Sequence, residues 1–137
     1  MKTKPVFYAM IVIFVVLISY FLIPSFDKRA LFPFIALLGL LFLILGIVLV
    51  YMALQLEGRQ RKFFLLTGIS AICPFVFTIL HNLFYGLRMI SEGVIVLKYI
   101  FGFLHVVSFL IALLIAPIGF LIGVVISIYL MKKKVIS

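Results

Sequence analysis

The sequence has 137 residues, of which 68% are hydrophobic and 11% charged, with twelve Lys and Arg against three Asp and Glu and a formal net charge of +9. Soluble domains carry roughly a quarter charged residues, so a soluble domain is excluded and the solvent for this chain must be a bilayer. Four stretches without a charge, 6–23, 31–56, 63–87 and 99–131, take up nearly all of the sequence. What remains is too short for a nucleotide-binding, nucleic-acid-reading or soluble catalytic module.

Residues 6–23 follow Lys2 and Lys4 and form an apolar run of 18 residues, long enough to cross about 30 Å of hydrocarbon as a helix. No small-x-small cleavage site follows, only Leu22-Ile23-Pro24-Ser25, so the segment is expected to be a retained signal anchor. Its small and β-branched residues Ala9, Val12, Val16 and Ser19 recur at helical spacing and predict a packing seam. In residues 31–56 the seam is carried by Gly39, Gly46 and Ala53, seven residues apart.

Residues 63–87 carry Thr67, Ala71, Pro74, Thr78, His81 and Tyr85 at alternating steps of four and three. Cys73, the only cysteine, lies in the same stretch; it excludes an internal disulfide and reads as a small buried hydrophobe. The last stretch, 99–131, presents His105, Ser108, Ala112, Ala116, Gly119, Gly123 and Ser127 at steps of three and four, with Gly119 and Gly123 forming a GxxxG. Such a stripe lets helix backbones approach closely, within the chain or against a second copy. At 33 residues and 1.5 Å per residue this helix would be about 50 Å long, so a kink at Pro117 is expected. Residues 99–103 are expected to lie in the interface, with Gly102 marking the change of direction.

Each stretch must be helical, because peptide groups facing lipid have no water to bond to and a barrel would show alternating strands instead. Short connections make sequential helices antiparallel neighbours. The fold class expected is therefore all-α, an integral membrane four-helix up-down-up-down bundle forming a single transmembrane domain over residues 1–137. Lys2, Lys4, Arg59, Arg61, Lys62, Lys132, Lys133 and Lys134 fall on one side of it, and Lys28, Arg29, Arg88 and Lys98 on the other. By the positive-inside rule both termini face the cytoplasm, which predicts a multi-pass protein of the cell membrane. The six tyrosines, Tyr8, Tyr20, Tyr51, Tyr85, Tyr99 and Tyr129, all lie near stretch ends, where an amphipathic ring suits the headgroup level. The basic clusters read as topology determinants rather than as a nucleic-acid footprint.

His81 and His105 are the only ionisable groups of the usual acid–base kind inside the stretches, and they stand twelve residues either side of Gly93 in the turn Ser91-Glu92-Gly93. In an antiparallel hairpin they reach similar depths. Ordinary interhelical hydrogen bonding, with Asn82, Thr78 and Ser108 each within a turn of a histidine, is the first reading of this cluster. The alternatives are a b-type haem or a metal ion held by His81 and His105, and a solute path lined by Thr67, Thr78, His81 and Ser108. Asp27, Glu57 and Glu92 all sit in connections, which removes intramembrane aspartyl proteolysis, and neither Ser70 nor Ser108 makes a nucleophile elbow. The function expected is non-enzymatic: an accessory, scaffold or assembly subunit without cofactor or metal, whose partners are the bilayer and other membrane subunits or a second copy, associating through Gly119 and Gly123.

Overall fold

The computed structural model describes residues 3–25 and 27–136, with side chains as far as Lys133; Lys2 and the Lys134 side chain, counted above for orientation, lie outside the described residues. Helix α1 spans Thr3–Leu22, α2 Lys28–Leu54, α3 Gly58–Ile90 and α4 Ile95–Leu110; a π-helical turn, Ile111–Ile115, leads into α5, Ala116–Ile136. Together α4, the π turn and α5 make one continuous fourth helix, and no strand occurs among the described residues. Four helices are thus long and apolar enough to cross a membrane.

Local chemistry sets the ends. Asp27 caps α2 through its carboxylate, which accepts from the backbone N–H of Arg29 at 3.1 Å and of Ala30 at 3.2 Å. The chain turns into α3 at Gly58, whose φ of +69° is the left-handed conformation that glycine adopts without penalty. At the far end of α3 the Ser91 hydroxyl donates to the Leu87 carbonyl at 2.7 Å, closing the helix before the turn at 91–93. Only residues 23–27, 55–57 and 91–94 connect the four helices.

Contacts define the registers. Tyr20 donates its hydroxyl to the Lys28 carbonyl at 2.9 Å, while Phe14 lies over Phe42, so α1 and α2 run antiparallel. Gly46 meets Ala71 and Gly39 meets the Phe75 ring, which sets α2 antiparallel to α3. His81 faces His105, Gly119 faces Ser70 and Gly123 faces Thr67, so the fourth helix runs antiparallel to α3 as well. Helix α3 is the hub, packing on α2, α4 and α5, whereas α1 packs chiefly on α2.

The core gathers toward the end holding the 55–57 connection. Phe7, Met10, Phe42, Leu49, Phe64 and Phe120 interlock there, with Phe120 4.5 Å from Phe14 and 5.2 Å from Phe42 between ring centroids. Toward the Asp27 and Glu92 end the helices bury little, and Ser108 is the single buried residue of α4.

Two expectations are corrected here. The α1 seam does not run along Ala9, Val12 and Val16, which are exposed; α1 buries Phe7, Met10, Ile13 and Tyr20 instead. Large side chains form this face, with Phe7 and Met10 fully buried. The fourth helix runs unbroken through Gly102. Finally, the irregularity expected at Pro117 lies in the turn before it: the Ala116 N–H reaches back five residues to the Ile111 carbonyl. Proline has no N–H for the carbonyl four residues earlier and its ring crowds that carbonyl, and a widened turn relieves both problems.

Candidate functional site: a histidine pair between α3 and α4

His81 on α3 and His105 on α4 bond reciprocally. The Nδ1–H of each donates to the other's backbone carbonyl, both at 3.1 Å. A carbonyl only accepts, so Nδ1 carries a proton in both rings. The rings stack at 3.9 Å between centroids with 23° between planes. Phe109 flanks His81 at 5.5 Å and Tyr85 flanks His105 at 5.4 Å, extending the stack to four rings. The arrangement is pseudo-symmetric because each helix carries a histidine followed four residues later by an aromatic ring, and residues four apart share a helix face. That repeated His-x-x-x-aromatic spacing was the legible signal for Phe109.

The neighbours expected to satisfy the imidazoles play other parts. Asn82 and Thr78 are exposed on α3, and Ser108, though buried, is not the partner of either ring. The acceptors are main-chain carbonyls.

This geometry does not fit an axial pair for haem. Two imidazoles on one iron must approach it edge-on from opposite faces of the macrocycle, whereas these rings lie face to face with no gap for one. Among the described residues no third His, Cys, Asp or Glu joins them to make a metal-binding group. The four side chains proposed for a solute path are spread along the bundle. Thr67 is buried against Gly123 and donates to the Phe63 carbonyl at 2.9 Å, about 21 Å along α3 from His81. Thr78 faces outward on the same helix.

The small-residue stripe of the fourth helix is occupied within the chain. A methyl group on Gly119 would lie 2.6 Å from Ser70 Oγ, and one on Gly123 would lie 2.9 Å from the Thr67 backbone nitrogen. Ala116 and Ser127 are buried in the same region, and Ala112 is half-buried in the π turn. Helix α3 therefore covers the face expected to serve a second copy. Sequence reasoning missed the counterpart on α3. A methyl on Gly68 would stand 2.7 Å from Val50 Cγ2 and 2.9 Å from the Gly46 carbonyl oxygen, so Gly46 and Gly68 form the closest seam between α2 and α3. Cys73 is half-buried.

Two clefts lie at opposite ends of the bundle. One, of about 390 Å³, is lined by Gly58, Arg59, Arg61, Lys62 and Leu65 at the start of α3. The other, of about 670 Å³, lies along the α3–α4 hairpin and is bordered by Arg88, Glu92 and Lys98. Comparison with protein-family models, with curated proteins and with solved structures gives no match.

Proposed function

We propose that this chain is a multi-pass membrane protein, both termini cytoplasmic, that acts without chemistry of its own as an accessory or assembly subunit of another membrane protein. The antiparallel order of the helices supports the orientation, because it gathers Lys4, Arg59, Arg61, Lys62, Lys132 and Lys133 at one end and leaves Lys28, Arg29, Arg88 and Lys98 at the other. Tyr8, Tyr51, Tyr85, Tyr99 and Tyr129 are all exposed near helix ends, in keeping with interfacial rings.

The observation that carries the subunit reading is Asn82. It is exposed on α3 inside a stretch without charges, and its carboxamide makes no hydrogen bond to another described residue. Thr78, Tyr85 and Met89 share its stripe at steps of three and four and are exposed as well. An amide left unpaired in hydrocarbon is unfavourable, and a polar side chain on a neighbouring membrane helix satisfies it, at about 1 kcal/mol or somewhat more. A partner helix that brings a hydroxyl or amide to Asn82 completes this face.

Mild solubilisation followed by affinity purification tests the reading. A membrane protein co-purifies with the wild type and is lost on Asn82→Leu substitution, while the variant itself stays folded. Recovery of monomer alone from both proteins overturns it.

A further inference from the structure

The larger cleft assigns a job to residues that the sequence reading left as topology determinants or spacers. Arg88, Lys98 and, in the turn between their helices, Glu92 line it together with Gly102 and the exposed side chains of Ile95, Phe103 and Val106, with Tyr99 beside them. Along α4, Ile95 and Lys98 lie nearest the turn, Tyr99 follows, and Phe103 and Val106 lie deepest, about 12 Å beyond Lys98. From Lys98 inward this is the polarity order of a lipid from headgroup into its acyl chains, with Ile95 standing outside it.

Gly102 fits this purpose. A methyl group at Gly102 would meet Arg88 Cδ at 3.6 Å, Nε at 3.7 Å and Cζ at 3.9 Å, so the arginine side chain passes beside Gly102 at a distance where a methyl fits and a larger side chain would crowd it. The exposed guanidinium lines the cleft, and its planar fork suits phosphate oxygens.

Charge selects the headgroup. Arg88, Lys98 and Glu92 sum to +1, which a headgroup of net charge −1 neutralises, whereas a zwitterionic headgroup brings its own ammonium to balance its phosphodiester. We propose that the α3–α4 cleft binds the head of a monoanionic glycerophospholipid, with its phosphate between Arg88 and Lys98 and the start of its acyl chains on Phe103 and Val106. This rests on the bilayer part of the reading above and is independent of the partner subunit.

The test uses the full chain, reconstituted with equimolar phosphatidylglycerol, phosphatidylethanolamine and phosphatidylcholine and then stripped with detergent, with retained lipid counted by native mass spectrometry. Phosphatidylglycerol is expected to remain in preference to the other two. At about 1 kcal/mol for one basic side chain near anionic lipid, Arg88→Gln and Lys98→Gln each lower its retention about fivefold. Gly102→Leu lowers it too, although no charge changes. Exposed Phe103→Ser does the same with little demand on folding, and Lys132→Gln at the opposite end leaves retention unchanged. Equal retention of all three lipids overturns the proposal, as does loss with Arg88→Gln but not with Gly102→Leu or Phe103→Ser, which is the pattern of diffuse surface attraction. Displacement of the lipid by inorganic phosphate as readily as by phosphatidylglycerol micelles overturns the amphiphile assignment. Alkaline carbonate washing of cell membranes separates the two levels: release of the chain into the aqueous fraction refutes the bilayer reading, whereas a chain that stays but loses lipid preference refutes only the cleft.

Discussion

His81 and His105 exchange hydrogen bonds crosswise, each ring donating to the carbonyl on the opposite helix at 3.1 Å while the rings stack at 3.9 Å. The pair clamps α3 to α4 in the half of the bundle with the fewest buried side chains. Replacing either histidine by alanine should destabilise the chain by about 1–2 kcal/mol, and the double variant should cost clearly less than the sum, with a coupling of about 1 kcal/mol. Unfolding in mild detergent with graded denaturant measures this. Additive losses would show that the two rings act separately.

The glycine seams predict a sharp contrast among substitutions by alanine. At Gly68 the new methyl meets the Gly46 carbonyl and Val50, and at Gly123 it meets the Thr67 backbone, so each should destabilise by about 1–3 kcal/mol. At Gly86 nothing lies within 4 Å, and alanine there should be neutral or slightly stabilising. Thermal unfolding monitored by circular dichroism ranks the three.

Asn82→Leu should leave the stability of the isolated chain within about 0.5 kcal/mol of the wild type, since the side chain is exposed and unbonded within the chain. A larger loss in detergent would mean that the amide serves an internal contact.

The π turn should be the weak point of the fourth helix. Amide hydrogens in Ile111–Ala116 are expected to exchange faster than those of residues 104–109, and Pro117→Ala should slow them by restoring a donor one turn after Leu113. Uniform exchange along the helix, unchanged by the substitution, would contradict this account.

What could be read from sequence follows the physics of each signal. Uninterrupted apolar stretches located all four helices because nothing else satisfies backbone groups away from water. Small residues located seams only where backbones touch, as at Gly46, Gly119 and Gly123; α1 packs through Phe7, Met10 and Ile13, so a rule built on small side chains pointed to the opposite face. The spacing of His81 and His105 about Gly93 announced that they would meet. Their partners stayed hidden because a main-chain carbonyl has no residue identity, and Asn82, the obvious polar neighbour, turned outward. The approach of Arg88 to Gly102 could not be read in advance, because only the register between α3 and α4 brings the two together.

The central position of α3 bears on how the protein is made. The first hairpin, leaving the ribosome ahead of α3, lacks the Phe64 ring that packs edge-on against Phe7 and the Gly68 backbone that closes on Gly46. Synthesis of the 33 residues of α3 at 5–20 residues per second keeps that hairpin waiting for roughly 2 to 7 seconds. During this interval two apolar helices stand without their keystone, and a stalled or truncated chain ending before residue 58 should be a preferred target for membrane quality-control proteolysis.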